Sequence, residues 1–96
     1  MQLMTLEQFA GCLNETFRVA LNDGEVDFVL VEAQPLKQSA PGALRAPFSL
    51  LFLNTAALVF PQQLYPMKHP RLGEFSIFIV PIARNKDGFI YQAVFN

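Results

Sequence analysis

Tryptophan is missing from this chain, and cysteine and histidine occur once each, as Cys12 and His69. A lone cysteine excludes an internal disulfide and any reliance on an oxidising compartment. A lone histidine with no cysteine near it in sequence falls short of the three or four ligands a zinc site needs, so no metal and no cofactor is expected. Charge is scarce as well, at 16% of residues against a typical value of about 25%. Seven basic side chains face eight acidic ones, a net charge of −1, which leaves no footprint for a polyanion. That balance argues against nucleic acid and anionic membrane as partners. No apolar run approaches the roughly 18 to 20 residues of a membrane span. Met1 to Glu7 lacks the basic and apolar regions of a secretory signal, and a soluble, cytoplasmic protein is expected.

What the chain has instead is apolar bulk. Hydrophobic residues make up 52% of 96 positions, ten of them phenylalanine. A chain of this length suits one domain, residues 1–96, which buries roughly 60 to 65% of its unfolded surface. The surplus of apolar over charged side chains implies a surface richer than usual in hydrophobic atoms.

Periodicity predicts one short helix and about six strands. Thr5-Leu6-Glu7-Gln8 fits a capping box, with Met4 and Phe9 spaced as a hydrophobic staple. Gly11 and Asn14 limit that helix to about two turns, a plug or lid on the sheet. From Thr16 the period becomes two: Phe17, Val19 and Leu21, then Val26, Phe28 and Leu30 after Asn22-Asp23-Gly24. A type I′ turn at Asp23-Gly24 is expected to pair Leu21 with Val26, Val19 with Phe28 and Phe17 with Leu30. Residues 34–46, rich in breakers, read as a mobile loop. Further strands are expected at 48–53, 63–68, 74–83 and 89–95, with turns at Pro70 to Gly73 and Asn85 to Gly88.

This is the pattern of a mainly β fold, a small antiparallel barrel or sandwich with one N-terminal helix. Pro66 and Pro81 belong at edges or bulges, which predicts weak or open sheet edges there. Several strands are apolar on both faces, as at Val29 and Val31, Leu51 and Leu53, Ile77 to Ile79, and Ile90 and Val94. The second face must be covered either by the helix with residues 56–60 or by another chain.

No catalytic constellation stands out. His69 reads as a turn-stabilising residue between Lys68 and Pro70, and Ser49 and Ser76 as sheet positions rather than nucleophiles in a strand-to-helix elbow. Glu25 and Asp27 share the outer face of one strand beside a turn, where carboxylates act as solubilising charges rather than a cleft-bound acid pair. Cys12 falls late in the helix, where the dipole does not favour a thiolate, so an inert buried thiol is expected. Lys68, His69 and Arg71 form a small basic patch of the kind that solvates a turn. Ten phenylalanines could line an apolar ligand cavity, but with about six strands the side chains themselves are expected to fill the interior.

Thr5 to Gly11, Glu15-Thr16-Phe17-Arg18, Pro47-Phe48-Ser49-Leu50-Leu51-Phe52, His69 to Gly73, Val80-Pro81-Ile82 and the closing Tyr91-Gln92-Ala93-Val94-Phe95-Asn96 together resemble a family of small bacterial proteins of unassigned function. The resemblance spans nearly the whole chain and extends to phage-tail-like and tail-collar-type proteins, which implies an assembly or accessory role and transfers no catalytic residue. Asn14 stands where that family's pattern has glycine, so the turn after the helix is expected to use asparagine in a left-handed conformation. The function expected is a non-enzymatic interaction or assembly module acting on itself, as a homodimer, or on another protein. Phe78, Val80 and Ile90 are its candidate interface, with Ile77, Ile79 and Val94 as replacements if the register of the last hairpin differs. A small carrier of an apolar ligand is the alternative, and an enzyme ranks third.

Overall fold

A computed structural model describes residues 4–22, 24–37, 46–56 and 59–95. A helix, α1 (Leu6–Ala10), precedes six strands: β1 (Thr16–Leu21), β2 (Gly24–Pro35), β3 (Phe48–Asn54), β4 (Gln63–His69), β5 (Gly73–Asn85) and β6 (Gly88–Phe95). They close into an antiparallel barrel in the order β1-β2-β3-β6-β5-β4.

Closure gives each strand one face inside and one outside. Phe17, Val19, Phe28, Leu30, Leu50, Phe52, Met67, Ile79 and Tyr91 fill the interior, each essentially without solvent exposure. Burying each phenylalanine stabilises by roughly 1.5 to 3 kcal/mol, and the rings meet edge to face, as at Phe17–Phe52 with centroids 5.5 Å apart. Side chains occupy the axis where a carrier would need a cavity.

Two caps stop the ends. At one, α1 inserts Phe9 among Phe17, Phe48, Phe75 and Phe95. The Thr5 N–H donates to Gln8 Oε1 at 2.8 Å, the half of the capping box that fixes the helix start. The helix ends at its C-cap Gly11, and the chain turns into β1 at Asn14, which takes a φ of 66°, the left-handed conformation expected of it, while its N–H bonds the Leu30 carbonyl at 2.6 Å. At the other end Phe60 packs on Phe28 and Tyr91, its N–H donating to the Tyr91 hydroxyl.

Three expectations need correction. The first hairpin pairs Leu21 with Gly24, Val19 with Val26 and Phe17 with Phe28, two residues away from the expected register. Gly24, at a φ of 150°, opens β2 instead of sitting inside the turn; Asp23 lies outside the described residues. A shift of two keeps every side chain on its face, so the core is unchanged. Secondly, the sheet closes into a barrel instead of ending in edge strands, although the weak edge expected at Pro66 is present, since β1 pairs with β4 only as far as Met67; Pro81 lies at a bulge, where the β5–β6 register slips between Pro81 and Ala83. Thirdly, neither the helix nor Phe60 covers the second face of the sheet, because both plug the ends; residues 57 and 58, like 38–45 of the expected loop, lie outside the described residues.

Candidate functional surface

The outer wall divides by composition. On β1 and its neighbours, Asp27, Arg18, Lys68 and Glu74 face one another in a single cross-strand row. Arg18 approaches Asp27 at 3.5 Å and Glu25 at 3.8 Å, while Lys68 approaches Glu74 at 3.5 Å and Glu25 at 3.9 Å. These exposed pairs are worth little individually. They keep this side in water, the solubilising role expected of Glu25 and Asp27.

The side formed by β5, β6 and β3 is mainly apolar, with Gln92 set between Val80 and Leu51 and Ser49 opposite Val94. Leu64 and Phe78 face each other across β4 and β5 and are 60% and 51% exposed. Val80 follows on β5, Ile90 and Val94 lie on β6, and Leu51, Leu53 and Val29 continue the surface across β3 onto β2. Of the three expected interface residues, Phe78 is open to solvent, and Val80 and Ile90 are half-buried on the same outer wall. Ile77 and Ile79 point into the core, so the alternative register that would have exposed them is excluded; Val94 stays outside, 50% exposed. Each bulge adds an apolar side chain to the exterior, Val31 on β2 and Ile82 on β5.

Closure also assembles a cluster that sequence spacing hides. Cys12, Glu15 and His69 bring ligand-type atoms within 4.8 Å of one another, so His69 does have a cysteine beside it in space. Arg71 donates to both Glu15 oxygens at 2.8 and 2.9 Å, to the Gly11 carbonyl at 3.1 Å and to the Cys12 sulfur at 3.4 Å. The guanidinium, and secondly the imidazole, hold the Glu15 carboxyl below the usual carboxylate range.

Proton placement decides what this cluster can do. His69 Nδ1 accepts the N–H groups of Arg71 and Leu72 at 3.1 and 3.3 Å, which puts the ring proton on Nε2, donated to Glu15 at 2.7 Å. A metal at Nε2 would need that proton moved to Nδ1, against two donors already there. No ring nitrogen is left for the Cys12 thiol, which donates to the Gln8 carbonyl. The imidazole is buried, its side chain 1% exposed, so a neighbouring surface hollow of about 550 Å³ reaches little of the ring. His69 thus stabilises its turn as expected, and the cluster ties the β4–β5 turn to the segment after α1. Ser49 and Ser76 occupy ordinary outer sheet positions opposite Val94 and Pro66.

Fold and surface together define a small closed β-barrel with a plugged, solid interior and a two-sided exterior. The chain belongs to a family described only as a domain of unknown function, DUF6916, whose model matches residues 4–95. No curated protein and no solved structure matches it. Among the described residues, no helix is long and apolar enough to cross a membrane.

Proposed function

We propose that this protein is a non-enzymatic assembly module whose apolar outer wall pairs with the same wall of a second copy. The observation that carries this reading is the exposed surface around Leu64, Phe78 and Val94, each at least half exposed, while the helix and Phe60 pack at the barrel ends. Exposed apolar side chains here amount to several hundred Å² as an order of magnitude, the size at which a patch on a soluble protein marks an interaction site. Pairing identical patches about a two-fold axis closes the assembly and avoids fibres. An accessory part in a phage-tail-like structure, implied by the family resemblance, is one setting for such a module. The filled axis supports this reading over that of a carrier.

Sedimentation velocity at low micromolar concentration tests it. The wild type is expected at twice its chain mass of 10.8 kDa, and the double variant Leu64→Lys, Phe78→Lys at the chain mass with an unchanged melting temperature. A wild-type monomer would overturn the pairing.

A further inference from the structure

The barrel is closed unevenly. Five of its six strand junctions are joined by five to seven residue pairs, but β1 meets β4 only at Arg18–Lys68 and Val19–Met67. One of those two pairs sets like charges opposite each other, an unfavourable cross-strand arrangement that the flanking acids offset. Beyond Met67 comes Pro66, which has no N–H with which to continue a ladder. From there the strands part. Ala20 and Leu21 are paired to β2 on one side, and Gln63 to Pro66 to β5, with no strand partner among the described residues on the other.

A cleft of about 690 Å³ opens between them, with Ala20, Leu21 and Asn22 on one wall and Gln63, Tyr65 and Pro66 on the other. That volume is typical of a ligand site. None of its described lining residues is charged, in contrast to the ion-paired row just beyond Met67. The polar chemistry of its described walls is the main chain of two strand edges, the Asn22 and Gln63 amides and the Tyr65 hydroxyl, which is already bonded to Pro61, and buried main-chain groups require partners.

We propose that this cleft binds an extended, uncharged peptide segment, which adds as a short strand to the free edge of β4. Four residues, Gln63–Pro66, span about 13 Å at the strand rise, enough to hold three or four residues of a guest. The guest's amides pair with the β4 edge, and its side chains alternate between the cleft floor and solvent. An ionised side chain aimed at the floor is rejected because no described lining residue carries a charge to compensate its desolvation. The guest lies along the β4 edge and not on the wall around Phe78, with Leu64 alone shared by the two, and the proposal does not depend on that wall's role.

The test is selection from a displayed random heptapeptide library on the full chain, with Ala20→Glu for counter-selection. Gln63→Glu, at an exposed position, serves as a second variant should Ala20→Glu fold poorly. Enriched peptides are expected to be uncharged over three or four consecutive positions. Synthetic copies should bind the variants at least about tenfold more weakly, and lose a similar factor when alternate backbone nitrogens are methylated. Amide exchange should slow on binding at whichever of Leu64 and Tyr65 turns its N–H to the free edge, the neighbouring N–H being directed to β5 already. The inference is overturned if nothing enriches above counter-selection, if N-methylated copies bind equally well, or if the shifted resonances fall on Phe78 and Val94. That last outcome would leave the reading of the outer wall intact.

Discussion

The two ends of the barrel are closed by different chemistry. The helix end is tied by ions: Glu15 lies between Arg71 and His69 and links the segment after α1 to the β4–β5 turn. The far end is tied by neutral groups. Tyr91 accepts from the Phe60 N–H at 2.8 Å, Tyr65 donates to the Pro61 carbonyl at 2.7 Å, and buried Asn54 donates to Asp27 and accepts from Ala56. Gly88 packs its backbone directly on that of Asn54 and Thr55. Identical topology thus yields one end that feels acid and another whose strength lies in steric fit and in hydroxyl and amide pairing.

The sharpest break in this contrast comes at Gly88. A Cβ there collides with the Asn54 carbonyl and approaches Thr55, and the φ of 154° already disfavours a side chain. Gly88→Ala should cost roughly 3 kcal/mol or more by urea denaturation, because backbone, unlike a side chain, cannot yield cheaply. A loss below about 1 kcal/mol would mean the far end is looser than its contacts imply.

Tyr91→Phe is the intermediate case. It removes the acceptor for Phe60 and leaves that N–H without its partner, for an expected loss of about 1 to 3 kcal/mol. Burial raises the Tyr91 pKa above its ordinary value of 10.0, so its contribution is fully present below that pH and is lost as pH rises through the folded value. The difference between wild type and variant should therefore stay flat from acid to neutral pH and change only in alkali.

The smallest effect, and the opposite pH dependence, belongs to Glu15→Gln. The Glu15 pKa is lowered below 4.5 in the folded state, first by Arg71 and then by His69. Its contribution is present above the unfolded value and is lost as pH falls through the folded one. Melting temperatures of wild type and variant should differ at neutral pH and converge only once the pH has fallen below 4.5 and through the lowered folded value. A gap that persists there would show that the helix end is not held by ions.

The sequence revealed elements more readily than pairings. Thr5 and Gln8 marked the helix, and alternation located five of the six strands within about two residues, because solvent on one side and core on the other act locally; β2 runs on to Pro35, into the segment read as a loop. Register was harder. Pairing Val19 with Val26 or with Phe28 buries the same side chains, so hydrophobic pattern could not choose between them; the position of Gly24 did. Around Phe78 the ambiguity was a single residue, and the inward turn of Ile77 and Ile79 resolved it. The grouping of Cys12, Glu15, His69 and Arg71 left no signal, since partners more than 50 positions apart meet only once the barrel closes.

The two-pair junction between β1 and β4 also has a consequence for folding order. Its partners are nearly 50 residues apart in the chain, whereas the β1–β2, β4–β5 and β5–β6 hairpins join near neighbours across tight turns. Ordering the longest loop returns the fewest pairs, so chain entropy places this step after the hairpins have formed. Sealing β1 against β4 is then the final event of folding and the first to reverse, opening the barrel into a sheet that exposes two bare edges without disturbing the rest of its strand pairing.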